Sequence, residues 1–146
     1  MIYEKIIGQR DKANKFILHD GPPYLSSEKI HVGTALNKIL KDILIKYKTQ
    51  RGFYAPYVPG YDGHGLPIEN KVVKTIKGGR SAITPVELRQ KCREFAQKSL
   101  KGQEFEFKRL GVFGDWGHPY LTVAPEFEAE QIRVFGEMYK KGYGYN

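Results

Sequence analysis

Two glycine-rich stretches, each with one histidine, hold the residues best suited to chemistry. The first, His31-Val32-Gly33-Thr34, stands at the head of an amphipathic run. A helix opening there presents free backbone N–H groups and the positive end of its dipole, a ready site for a phosphate. Gly33 lets an anion approach the backbone, and His31 can donate a hydrogen bond to charge developing on a phosphoryl group. A lone histidine before a helix is more often structural than catalytic, so this stretch does not decide the matter by itself. The second stretch runs from Pro59 to Glu69 as PGYDGHGLPIE. Its Asp62 could pair with an ammonium group, or equally close an Asx-turn on its own backbone. Spacing alone gives His64 no task.

Other site chemistries find little support. His31 and His64 are far apart, no HxxxH or Cys-pair spacing occurs, and no metal site is expected. A GxxxxGK[ST] phosphate loop, a GxSxG elbow and a GxGxxG fingerprint are all missing, so the phosphate site is of another kind. The single cysteine, Cys92, permits no intrachain disulfide and sits at a core-facing helical spacing; a reducing, cytoplasmic compartment is the simplest fit.

The elements that must carry these loops can be read from periodicity. Residues Lys15 to Asp20 form the short apolar run of a buried strand, ended by the turn Gly21-Pro22-Pro23. After a polar loop from Tyr24 to Gly33, Ala35, Leu36, Ile39, Leu40, Ile43, Leu44 and Tyr47 make the apolar face of a helix, with Asn37, Lys38, Lys41, Asp42 and Lys46 on its other face. Gly52 marks its exit, and Phe53 to Val58 predicts a second strand limited by Pro56. A strand, helix and strand in this order build a right-handed crossover in a parallel sheet, which gathers both loops at the carboxyl edge. Leu88, Cys92, Phe95, Ser99, Gln103, Phe107 and Leu110 predict a further helix, weakened or interrupted at Gly102. A turn-rich stretch, 111–119, precedes a last helix that starts at Pro125 with Glu126, Glu128 and Glu130 and closes at Lys140, Lys141 and Gly142.

The 146 residues, 40% of them hydrophobic, suffice for one α/β domain, and no repeat or low-complexity tract divides them. A net charge of +8 favours polyanionic partners without naming one, and a solvated surface accounts for most of the scattered lysines, Lys38, Lys41, Lys46 and Lys48 among them. No apolar run is long enough to span a membrane, and a soluble protein is expected.

Against this reading, HDGPPY (19 to 24), HVGTALNKILKD (31 to 42), PYVPGYDGHGLPIE (56 to 69), KCREFA (91 to 96), LGVFGDWGHPYLT (110 to 122) and KKGYGY (140 to 145) together resemble the isoleucyl-tRNA synthetases, class I aminoacyl-tRNA synthetases. The resemblance implies the first half of a Rossmann-like parallel-sheet catalytic domain over residues 1–146, with additional helices. That family adenylates isoleucine with ATP, accompanied by Mg2+, and transfers it to tRNA(Ile). The resemblance also implies a cytoplasmic enzyme, monomeric at full length, with no membrane partner. On it, His31, Val32 and Gly33 match the first three positions of the HIGH motif beside the ATP phosphates, and Thr34 takes the place of its second histidine. Catalytic roles accordingly fall to His31, Gly33 and Thr34, and ATP binding to the same residues with Val32. Asp62 matches the acidic residue that holds the substrate amino group, Pro22 and Pro23 the strip beside its side chain, and Tyr61 stands where Trp is usual. The segment 25–30 is one residue longer than its family counterpart, and its Glu28 puts negative charge near the phosphate site unless it points away or pairs with Lys29. No KMSKS-like sequence occurs, so the KMSKS, editing and anticodon-binding regions are expected to lie outside this chain, which would be inactive alone. A stand-alone degenerate nucleotide-binding module and a basic RNA-binding module with stacking aromatics are the competing readings.

Overall fold

The computed structural model describes residues 2–144; the last tyrosine of the KKGYGY stretch lies outside the described residues. Three parallel backbone segments form its centre. Phe16 N–H donates to Tyr54 O (2.9 Å) and Tyr54 N–H to Asn14 O (2.8 Å), so Lys15 faces Tyr54 in parallel register. Further along the same pair, Tyr24 faces Asp62, where Asp62 N–H donates to Pro23 O at 2.9 Å and Leu25 N–H to Asp62 O at 2.8 Å. The first segment takes one residue more than its partner between these two bridges. Gly21-Pro22-Pro23 lies in that interval, where two prolines supply no N–H. On the other side of the middle segment, β1 (Gly60–Tyr61) pairs in parallel with β2 (Tyr120–Leu121). The expected 15–20 and 53–58 strands are therefore present as extended, parallel-bridged chain rather than as continuous ladders. β2 falls at the edge of a stretch that the sequence reads only as turns.

Gly60 is required at this pairing. A Cβ there would lie 2.1 Å from Cζ of Tyr120, and that ring is held by its hydroxyl, which donates to Asp20 O at 2.7 Å. Gly60→Ala is expected to lower stability by about 1–3 kcal/mol through overpacking, read as a lowered denaturation midpoint; an unchanged midpoint would contradict the tight β1–β2 approach.

The helices are α1 (Ile2–Gly8), α2 (Val32–Gln50), α3 (Leu66–Val73), α4 (Pro85–Arg109) and α5 (Pro125–Lys140), with a short 3-10 turn at Gly79–Ala82. α4 starts with a reciprocal capping box between Thr84 and Glu87. α4 also runs unbroken through Gly102, contrary to expectation. A Cβ at Gly102 would meet the carbonyl oxygen of Glu28 at 2.5 Å, so this glycine serves close packing rather than a break. The main core forms where α3 and α4 enclose Leu25, Tyr61, Ile68, Val72, Leu88, Ala96, Phe107, Val112 and Trp116. Cys92 packs at its margin, as its spacing predicts, and burial pushes its thiol pKa up.

α2 begins and ends where the sequence places it, but its inward face is not the predicted one. Lys38, Asp42, Ile45 and Thr49 are buried, while Leu36, Leu40, Ile43, Leu44 and Tyr47 are exposed. The reading of Lys38 as a solvated surface lysine is thus overturned. Polar partners set this orientation: Asp42 accepts from Phe113 N–H at 2.7 Å and pairs with Lys46, and Lys38 reaches Asp20. Apolar periodicity finds the helix, but it cannot say which stripe the neighbouring backbone can satisfy.

Candidate functional site

His31 is the N-cap of α2. Its Nδ1 accepts from Thr34 N–H at 3.2 Å, and its Nε2 lies 3.0 Å from Thr34 Oγ1. With Nδ1 accepting, the neutral ring carries its proton on Nε2, so that nitrogen donates to the threonine hydroxyl. Thr34 therefore stands in hydrogen-bond contact with His31 through both its N–H and its hydroxyl. Gly33 permits the fold-back, because a Cβ there would come within 3.0 Å of His31 Cε1. Ala35 N–H reaches His31 O at 2.9 Å and Thr34 N–H is taken by the cap, which leaves the N–H groups of Val32 and Gly33 without a partner inside the helix. Val32 is 85% exposed and takes no part in the concavity beside the cap.

That concavity, of about 440 Å3, brings His31, Gly33 and Thr34 together with Pro22 and Pro23. Tyr24, Ser26, Ser27 and Lys29 from the 24–30 loop, Asn37 and Lys38 from α2, and Gln103 from α4 complete much of its wall. Glu28 is not among its lining residues: its carboxylate meets Lys98 on α4 at 2.8 Å, not Lys29. Two polar walls and a proline strip suit a ligand with an anionic end and an apolar end.

Asp62 is joined to this site through the backbone but faces an adjoining hollow. Its bridge to Tyr24 fixes it next to Pro23, whereas its side chain lines a cavity with His64, Thr122 and Phe127. The Asx-turn is present: His64 N–H donates to Asp62 Oδ1 at 3.1 Å, and Thr122 Oγ1 approaches the same oxygen at 3.5 Å. Both contacts fall on Oδ1. The turn and an ammonium-binding role are thus compatible, since a carboxylate has a second oxygen. His64 ties this loop to its surroundings, with Nε2 3.0 Å from Thr122 O and 3.3 Å from Glu128.

Two residues beneath both loops were missed as partners. Asp20 and Lys38, each almost fully buried, form an ion pair, and Lys41 approaches the other Asp20 oxygen at 2.7 Å. Gly60 N–H donates to Asp20 Oδ2 at 2.8 Å, so one carboxylate links the first loop, α2 and β1. Burial is the largest influence on the Asp20 carboxyl and raises its pKa. The Lys38 charge, the Gly60 N–H and the lysine hydrogen bonds together outweigh it and hold the group below the usual carboxylate range. Lys38 Nζ also lies 5.5 Å from the Tyr57 ring centroid and 5.2 Å from that of Phe107. The available signal was the stripe Lys38, Asp42, Ile45, Thr49, which keeps helical spacing through two charged residues.

The parallel segments, the helix N-terminus at their carboxyl edge and the two loops meeting there define a Rossmann-like α/β fold. The family profile of the class I tRNA synthetases for I, L, M and V matches residues 1–146, and the chain belongs to that family. Within it, the similarity is to isoleucine enzymes. The isoleucine–tRNA ligase of a Thermoanaerobacter species is 57% identical over 144 residues, covering 99% of this chain and 15% of the relative. That of Caldicellulosiruptor bescii is 56% identical, with 99% and 16% covered. The chain thus spans about 15% of the length of these curated relatives. Among solved structures, the ternary complex of Agrobacterium radiobacter agnB2 LeuRS with tRNA and LeuAMS superposes with a TM-score of 0.74 at 27% identity, over 95% of this chain and 16% of that one.

Proposed function

We propose that this chain is the part of an isoleucine–tRNA ligase catalytic domain that holds the ATP phosphates and the isoleucine ammonium group. The observation that carries the reading is the shared concavity in which the His31–Thr34 helix cap meets Pro22 and Pro23. In the proposed reaction the isoleucine carboxylate attacks the α-phosphorus of ATP, the bond to the bridging oxygen breaks, and pyrophosphate leaves. Such a displacement needs alignment and charge stabilisation rather than a covalent nucleophile. The N–H groups at the start of α2 supply positive potential where the phosphates rest; the Nε2–H of His31 and the hydroxyl of Thr34 supply hydrogen-bond donors. The Asp62 carboxylate holds the ammonium group, and Pro22 and Pro23 flank the aliphatic side chain. Mg2+ is carried in this proposal as part of the ATP substrate. Transfer to tRNA(Ile) belongs to the whole enzyme. No described helix is long and apolar enough to cross a membrane; a cytoplasmic setting is part of the proposal.

The test is isoleucine-dependent ATP–pyrophosphate exchange by a chimaera in which residues 1–146 replace the matching segment of the Thermoanaerobacter ligase. Exchange that requires isoleucine supports the reading; a folded chimaera without it defeats the reading. In the active chimaera, Asp62→Ala is expected to raise the KM for isoleucine about tenfold to a hundredfold, the weight of one hydrogen bond to a charged group. Its denaturation midpoint should move little. An unchanged KM would remove Asp62 from the ammonium site.

A further inference from the structure

One face of α4 touches the 24–30 loop at its start, near its middle and at its end. At the start of the loop and near its middle, Gln103 uses both N–H groups of its carboxamide, donating to Tyr24 O at 2.9 Å and to Ser27 O at 2.8 Å. Gln103 is 3% exposed, so these bonds are sheltered from water. Beside it, Gly102 admits the backbone of Glu28 so closely that a Cβ would sit 2.5 Å from its carbonyl oxygen. That neighbour is backbone and cannot swing aside. At the end of the loop, Ile30 N–H donates to a carboxylate oxygen of Glu106 at 2.6 Å. The next residue is His31, whose extended backbone forms the cap of α2.

We infer that Gly102, Gln103 and Glu106 are positioning residues, a template on α4 that sets the 24–30 loop and so places His31 and Thr34 for the nucleotide phosphates. The inference deepens the adenylating role proposed above and rests on it. Gln103 also borders the concavity, but both its N–H groups are spent on the loop; the effect of α4 passes through that loop, whose Ser26, Ser27 and Lys29 line the same concavity as His31. Exposed Lys98–Glu28 pairing adds little, since surface ion pairs contribute little. The three contacts differ in kind: a close backbone approach, two hydrogen bonds to carbonyls and a charged acceptor for one N–H. They nevertheless agree on a single loop position. A shift of that loop by about 1 Å is enough to cost two orders of magnitude in a reaction that depends on alignment.

Three variants in the chimaera test this: Gly102→Ala, Gln103→Leu and Glu106→Ala, with Glu106→Gln as the conservative variant that keeps an acceptor for Ile30 N–H. Each of the first three is expected to raise the KM for ATP about tenfold or more, on the same alignment argument, with the KM for isoleucine within about twofold. Glu106→Gln should return most of the ATP affinity that Glu106→Ala loses. A merely structural role would lower the denaturation midpoint and the amount of active enzyme without this split between the two KM values. The inference is overturned if the folded variants keep the parental KM for ATP, or if both KM values rise together. Should Gly102→Ala fail to fold, Gln103→Leu and the Glu106 pair decide the outcome. Hydrogen exchange at the amides of residues 25–31 gives a reading independent of activity. Faster exchange there in the variants supports the template even if the parent chimaera performs no exchange of pyrophosphate, in which case it is the adenylating role that fails. Parental protection in all variants overturns the template.

Discussion

Asp20→Ala is expected to cost about 3–5 kcal/mol of folding stability, the range for removing one partner of a buried ion pair. The size follows from what remains. Lys38 Nζ would keep a 3.4 Å contact with the Tyr57 hydroxyl and its aromatic neighbours, but no carboxylate, in a side chain with no measurable exposure. Gly60 N–H and Lys41, bonded to different oxygens of the same carboxylate, would each lose an acceptor. Lys38→Met should cost less, because Asp20 would retain Lys41 and the Gly60 N–H. The double variant Asp20→Ala/Lys38→Met should be more stable than Asp20→Ala, as it no longer buries an unpaired ammonium. Urea denaturation of the purified proteins reads all three, and a loss under about 1 kcal/mol for Asp20→Ala would show that the pair is not buried as described. The pH dependence has a definite sign. Asp20 ionises below its ordinary value in the folded chain, so its stabilisation is present above the unfolded-state pKa. It is lost as pH falls through the depressed folded value. The acid limb below about pH 4 should therefore flatten in Asp20→Ala.

This pair also marks the boundary of what the sequence could show. The helix after His31 and the turn that precedes it follow from local signals, the parallel relation of the segments around Lys15 and Tyr54 follows from their order about that helix, and the place of the two prolines beside His31 and Thr34 was implied by the family resemblance. A glycine-bearing loop, an amphipathic period and a Gly-Pro-Pro turn each act within a few residues. The buried face of α2 does not. It is chosen by Asp20 and by Phe113 N–H, which lie 18 and 71 residues away along the chain. The same holds for α4, whose Gly102 reads locally as a helix breaker and is instead the place where Glu28 passes. Asp62 lies between these cases: its turn is local and was legible, while its proximity to Pro23 needs the parallel bridge.

The second large effect concerns His31 and separates its two roles. In the chimaera, His31→Ala is expected to lower the rate of pyrophosphate exchange about 10²–10³-fold, the loss seen when one well-placed donor to a developing oxyanion is removed. The same substitution deletes an N-cap and should lower stability by about 0.5–2 kcal/mol. Those two consequences could be confused, since a frayed first turn would also misdirect the N–H groups that face the phosphates. His31→Asn resolves them. Asparagine is a strong N-cap, and its side-chain oxygen can accept from Thr34 N–H as Nδ1 of His31 does at 3.2 Å. It lacks the imidazole, and its shorter carboxamide cannot place a donor where Nε2 of His31 lies. Stability should therefore return in His31→Asn while the exchange rate stays low. If the rate returns together with stability, His31 acts only as a cap, and the phosphate contacts are left to the helix N-terminus and Thr34.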